Sequence, residues 1–459
     1  MPLDTEKTDP AWAWAAYQPD AQRPWDLRLA GHLYRRAGFG ASWPQLQQAL
    51  REGPAKTVER LLRPTEDVAA LNRLHDEFEG AMDPESESTD TLRAWWLRRM
   101  METPHPLLEK MTLFWHNHLA IPRNRAVHGL SVAKHLQLVR SHALGKHDQL
   151  LDAAVHDSAM LVALGGKVNR KAQPSLDFAR AFLEELTVGP GHYSESDVQG
   201  VARAFTGLMV VRHRFRFVER EHDDGPKKIL GRQGPWNGHD AVKIALAQPS
   251  TARRVVAKLY RWLISETEPP SDTLLAPLVE AFANDYDISG LVGTMLRSNL
   301  FYSQAAYRQR IKSPVEFAVG IVRAMETLVS AEPLGHELAE MGQDLCHPPT
   351  LKGWAGGTCW LTDATWIRRN NLAWAMLSGA EPYAGKLDPW AVARKHGFGT
   401  LVKAGRFLAD LFLQGDLSAA SREPWERAIA QVEAAKGNPS TTVRTLAHLA
   451  ATLPEFQLA

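Results

Sequence analysis

The chain has 459 residues, long enough for two or three ordinary domains or for one large helical unit. Hydrophobic residues make up 44% and charged residues 23%, which excludes a disordered chain and a fibrous repeat. Lysine and arginine total 53 against 52 for aspartate and glutamate, and this net charge of +1 lacks the positive excess of a protein that grips nucleic acid by its phosphates.

The opening residues, MPLDTEKTDP, are acidic and polar, without the basic and apolar segments of a secretory signal. The expected location is therefore the cytoplasm, with export alongside a partner left open. No run of about 18 apolar residues occurs, so no segment is expected to span a membrane. Residues 1–24 carry Pro and Trp and read as an extended arm laid over the body through Trp12 and Trp14. Arg35 and Arg36 fit the last turn of a helix that Gly38 ends, where cations complement the carbonyl end.

Residues 79–91, acidic and turn-rich, read as a surface loop. Leu92, Trp95, Trp96 and Met100 recur at the spacing of one helical face. A second helix starts near Pro106 and stops before Pro122. Further helices are expected at 126–143, 147–163, 176–187, 195–208, 250–265, 273–284, 288–299 and 314–329, with a capping-box start at Ser194 and Asp197. One segment breaks this rhythm. Val211, His213, Phe215 and Phe217 alternate with Arg212, Arg214 and Arg216, the period of a half-buried strand; HDDG supplies a turn and KKIL a returning strand. The chain is helical again from about 386. The expected fold is mainly α: a multi-helical globular body with a small β-hairpin insert near residues 210–231. Its parts are the arm at 1–24, a helical core at 25–385 and a C-terminal helical segment at 386–459 packed on the same unit.

Taken in order, the motifs form a recognisable set. RRAGFG stands at Arg35–Gly40, a Trp-rich helix at Trp95–Met100, FWHNH at Phe114–His118 and NRKAQPSLDFARAFLEE at Asn169–Glu185. HYSESDV follows at His192–Val198, HDDGPKKILG at His222–Gly231, KSPVE at Lys312–Glu316, GQDLCHPPTLKGWAGG at Gly342–Gly357, and LPEFQLA at the end. Over essentially its whole length the chain resembles the large bacterial family catalogued as domain of unknown function 1800. The resemblance implies a mainly helical fold and, through gene neighbourhood, a frequent sulfatase-like partner. It supplies no accepted catalytic residues. The chain departs from the family at Ser175 and Leu176, where Asn and Glu are usual, and at Ala181, where Glu is usual; a carboxylate site on that helix is weakened accordingly.

Several groups are candidates for chemistry. His116 and His118 lie roughly 200° apart around a regular helix, so they can face one ion only if the helix frays before Pro122. His128, His135 and His142 share a face but stand roughly 10 Å apart in succession, too far for one metal. Asp177, Arg180 and Glu184 fall along one polar face; Arg180 can hold a ligand, and Glu184 can serve as a general base if desolvated. In EREHDDGPKK the turn can aim His222 and Asp224 at one point for acid/base work or for a divalent metal with His118 as third ligand, while Lys228 stands by to bind ligand. In PPTLKGWAGGTCW, Lys352 can bind an anion, and Trp354 and Trp360 suit a sugar or planar ring. No Walker, GxGxxG, GxSxG, HExxH or paired CxxC motif is present. Cys346 and Cys359 are too few for a zinc site, and a single bridge between them is left open.

Two functions remain open on these grounds. One is a hydrolytic or group-transfer enzyme acting on a polar polymer or glycan, with His222, Asp224 and Glu184 as catalytic groups. The other is a non-catalytic helical binding or assembly partner of a sulfatase-like protein.

Overall fold

The structure, a computed structural model, describes residues 8–64, 73, 88–123, 127–383, 385–434 and 437–459. In chain order the helices before the β insert are α1 (Pro10–Trp14), α2 (Leu27–Arg36), α3 (Trp43–Leu62), α4 (Asp90–Glu102), α5 (Pro106–His118), α6 (Gly129–His142), α7 (His147–Val155), α8 (Ser158–Ala163), α9 (Leu176–Ala181) and α10 (Glu195–Ala204). The insert comprises β1 (Leu208–Val211), β2 (Arg214–Phe217), β3 (Lys227–Ile229) and β4 (Arg232–Gly234). Then come α11 (Gly238–Leu246), α12 (Pro249–Leu263), α13 (Asp272–Asp285), α14 (Ile288–Arg297), α15 (Pro314–Ala324), α16 (Ala331–Glu340) and α17 (Asp363–Ser378). The chain closes with α18 (Pro389–Lys395), α19 (Leu401–Leu413), α20 (Ala419–Ala434) and α21 (Pro439–Thr452). The fold is mainly α, and no helix among the described residues is long and apolar enough to cross a membrane.

Local chemistry explains most boundaries. Ser194 and Asp197 form the expected capping box at α10, and Ser313 with Glu316 forms another at α15. The helix expected at 147–163 is two helices, because Asp157 leaves the helical conformation and caps α8 by accepting from the Met160 N–H. The helix expected at 176–187 is α only to Ala181 and continues as a π turn over Phe182–Leu186. Within the arm read as extended, Asp9 caps the short α1, and Trp14 anchors it by donating from Nε1 to the Leu274 carbonyl at 2.7 Å. The surface loop read at 79–91 lies outside the described residues as far as 87.

The β insert differs from expectation in register. The alternating Arg/Phe run is not one strand: Arg212 and His213 both adopt positive φ and turn the chain, so that Val211 pairs with Arg214 and Leu208 with Phe217. A second hairpin pairs Lys227 with Gly234 across a turn at Leu230 and Gly231. Alternation alone could not place the first turn, since His213 and Arg212 show no Gly or Asn signal. The second hairpin lies close on α10, where a Cβ at Gly200 would stand 2.0 Å from the Lys228 carbonyl oxygen.

A continuous apolar cluster runs from Ala13 to Phe456, with Trp96, Trp115 and Trp425 among its largest fully buried side chains. Charged groups also enter it. Glu316 of the KSPVE motif is buried and meets Lys110 of α5; it accepts from the two terminal nitrogens of Arg310 at 3.0 and 3.2 Å and from the Ser313 N–H at 2.7 Å. Arg310 also donates from Nε to Glu266 at 2.8 Å. Burial alone would raise the Glu316 carboxyl, but the charges of Arg310 and Lys110 and the hydrogen bonds they bring hold it well below the usual carboxylate range. Arg36 of RRAGFG is buried beside this network and donates to the carbonyls of Ile264 and Ala306.

Removing the carboxylate leaves two buried cations facing each other. Glu316→Ala is therefore expected to cost about 3–5 kcal/mol in denaturant unfolding; a loss below about 1 kcal/mol would show that Lys110 and Arg310 do not depend on it.

Candidate functional site

The last turn of α5 is FWHNH, and its three polar residues point to three different environments. His116 is buried, edge-on to Trp96 and against Trp354, and burial pushes its pKa down to about 3. It is a neutral core histidine. Asn117 clamps the PPTLKGWAGG loop: its Oδ1 accepts from the Trp354 N–H at 2.6 Å and its Nδ2 donates to the Trp354 carbonyl at 3.5 Å. Gly353 makes this approach possible. It has φ 77, and a Cβ there would stand 2.1 Å from Asn117 Oδ1 and 2.4 Å from the Asn117 carbonyl oxygen.

His118 faces a cavity of about 230 Å³. The loop supplies Lys352, Trp354 and Trp360 to its wall; α12 supplies Lys258, Arg261 and Trp262; Glu266 and Arg310 close another side. Lys258 Nζ is 2.6 Å from His118 Nδ1. Burial, reinforced by Arg254 and opposed by Glu185, lowers the Lys258 pKa to about 7. Burial and then the Lys258 charge push His118 well below its ordinary value, so the imidazole is neutral and competent to share a proton with the amine.

The cavity opens along α12 into a groove of about 1680 Å³ that shares Lys258 and Arg261 with it. Lys243, Arg253 and Arg254 line the groove with Asp148, Asp272 and Glu280. Several of these charges are already paired: Arg253 with Asp272, Arg254 with Glu185, and Arg310 with Glu266 and Glu316. Among the described residues Arg261 is exposed and has no ion-pair partner, and Lys352 has only Glu185, at 4.0 Å. An incoming anion thus finds Arg261 and Lys352 around one opening, beside Lys258.

The sequence assigned Lys352, Trp354 and Trp360 to a ligand loop and His118 to a metal set with His222 and Asp224, and the structure brings His118 and the loop residues around this cavity. Trp354 is mostly buried against His116, so it walls the cavity rather than offering a free platform. The other candidates lie outside the lining. His222 is buried beside Phe217 and donates from Nδ1 to the Thr206 carbonyl at 2.8 Å; Asp224 is 87% exposed and 3.9 Å from it. Neighbouring Asp223 does the structural work of that turn, accepting from Arg203 and from the Gly225 N–H, and its carboxyl is lowered to about 2, chiefly by the Arg203 hydrogen bond. Lys228 is exposed on β3, and Arg180 is exposed and paired with both oxygens of Glu195. The proposed metal set of His222, Asp224 and His118 is not brought together as a chelating group. Glu184 accepts from the Tyr193 hydroxyl, while its neighbour Glu185 reaches Arg254 and Lys352. Both glutamates stand in the π turn over Phe182–Leu186.

Of the heptad-spaced histidines, His128 caps α6 and His135 is buried between Asp157 and the Leu119 carbonyl, both structural roles. Cys346 is buried and Cys359 exposed, both as free thiols. Lys258 and Arg261 were missed. Their signal was present in ARRVVAKLYRWL, where Arg254, Lys258 and Arg261 recur at i, i+4 and i+7 along one face of a helix otherwise read for its apolar stripe.

A family model described as protein of unknown function (DUF1800) matches residues 32–458. No curated protein and no solved structure matches the chain.

The lowered Lys258 pKa has a thermodynamic signature. Between about pH 7 and the ordinary lysine value the unfolded chain binds this proton and the folded chain does not, so folding gains stability as pH rises through that window. Lys258→Met removes the effect. Its stability relative to wild type is expected to fall by a few kcal/mol between about pH 6 and pH 10 in parallel denaturant titrations; a difference independent of pH would place the Lys258 pKa near its ordinary value.

Proposed function

The chain belongs to the DUF1800 family over nearly its full length, and from its site we propose that it acts by hydrolysis or group transfer on an anionic polar polymer, most simply an acidic glycan. The observation that carries this reading is the hydrogen-bonded Lys258–His118 pair, set where a small cavity meets a long groove. A chain ligand lies along the groove, and one unit enters the cavity. There Arg261 and Lys352 neutralise its acid group, and the indoles of Trp262 and Trp360 contact the apolar face of the sugar ring. An amine with pKa about 7 is substantially unprotonated at neutral pH. Lys258, its lone pair directed by neutral His118, then accepts a proton from the attacking hydroxyl or water as that oxygen bonds to the electrophilic centre; the bond to the leaving oxygen breaks, and the ammonium so formed returns the proton to it. The even overall charge favours a glycan over nucleic acid as the anion.

The reading as a non-catalytic binding partner of another protein is supported by a different feature. Trp366, Ile367 and Trp374 are exposed on α17, a surface suited to docking another protein.

Both readings meet in one experiment. Uronate-containing and sulfated oligosaccharides are titrated against the protein and the mixtures analysed for new products. Binding weakened at least about tenfold by Lys352→Ala and by Arg261→Ala, with product formation lost in Lys258→Met, is the expected result. Equal loss on Lys228→Ala, or no binding by any anionic glycan, would overturn the glycan reading; binding without products would leave the docking role as the better account.

A further inference from the structure

We propose that Asp152, His156 and His239 form a binding site for a divalent transition-metal ion of the zinc class, separate from the Lys258 cavity. The helical framework sets the group. Asp152 lies in the last turn of α7 and His156 caps that helix, an i, i+4 pair that shares a face. His239 is held in the first turn of α11, whose start is fixed by the reciprocal hydrogen bonds of Asn237 and Asp240. The two imidazoles stack at 4.3 Å with 23° between their planes, and each residue offers a ligand atom within 4.8 Å of the others.

The hydrogen bonds already sort the nitrogens. His156 Nδ1 is 2.7 Å from the Asp152 carbonyl oxygen; a carbonyl only accepts, so Nδ1 carries the proton and the lone pair sits on Nε2. This is the arrangement by which metal-binding histidines are oriented from behind. His239 Nδ1 and Asp152 Oδ1 meet at 2.6 Å, sharing a proton that an incoming cation displaces. Ligands about 2.0–2.2 Å from a tetrahedral ion stand roughly 3.5 Å apart, so side-chain rotation brings the three together. Asp152 and His239 are partly open to solvent, which leaves room for water in the fourth position.

The spacing in sequence, 152, 156 and 239, is why no local motif announced the group. Its position is suggestive of use. Asp148 and Lys243, which line the large groove, stand one helical turn from Asp152 and His239 on the same two helices, so the ion sits beside the groove. The inference rests on these three side chains and is independent of the glycan reading.

The test is zinc titration of the metal-stripped full chain by calorimetry, with cobalt as a spectroscopic probe. One equivalent of zinc is expected to bind, and cobalt to give the visible absorption of a four-coordinate site. His239→Ala and Asp152→Asn, both at solvent-accessible positions, are expected to weaken zinc at least about tenfold with an unchanged circular dichroism spectrum. His192→Ala, a histidine of the groove, is the control and leaves binding intact. If wild type binds no zinc, or if stoichiometric binding survives both substitutions, the site is refuted.

Discussion

The carboxylate of Glu316 is the point on which the architecture around the cavity depends. It receives Lys110 from α5, Arg310 from the segment before α15, and the N–H of Ser313 that starts α15. Arg310 carries the connection on to Glu266, and Arg310, Glu266 and Ser313 all stand in the cavity wall. Such a network adds little net stability compared with a well-packed apolar core, since each ion loses its water. Its effect is positional. Once desolvated, every member needs its partner, and these contacts tie α5, the segment after α12 and the start of α15 together.

That constraint places the end of α5 where its motif can act. Because helix geometry separates His116, Asn117 and His118 by about 100° each, one turn simultaneously fills the core, clamps a loop and presents an imidazole to the cavity. The clamp on Trp354 brings Lys352 over the opening, and Glu185, in the π turn after α9, meets it there. Burial of Lys258 between these elements makes its ammonium form costly, and the nearby Arg254 adds to that cost. The candidate chemistry is thus a consequence of packing.

Much of the fold was legible because it depends on local signals: apolar spacing, Ser and Asp caps, prolines at helix starts. The breaks were harder to read. Asp157 looked like one more polar position in a helix, and the turn at Arg212–His213 reaches positive φ without Gly or Asn. The site divided in the same way. FWHNH and PPTLKGWAGG drew attention by composition and do share the cavity, whereas HDDGPKKILG drew attention for the same reason and forms a structural turn around Asp223 and Arg203. Lys258 escaped notice because a lysine on an amphipathic helix ordinarily faces water; only the tertiary fold buries it. Glu185 was overlooked beside Glu184 because its partners Arg254 and Lys352 are distant in sequence. Asp152, His156 and His239 needed two helices to be brought side by side.

The most direct measurement is a crystal structure of the chain with a bound sulfated or uronate-containing oligosaccharide. The account predicts an acid group held by Arg261 and Lys352 beside Lys258, with the remaining sugar units following the groove along α12. Oligosaccharide bound instead at the exposed HDDGPKK turn, with the Lys258 cavity unchanged, would contradict it.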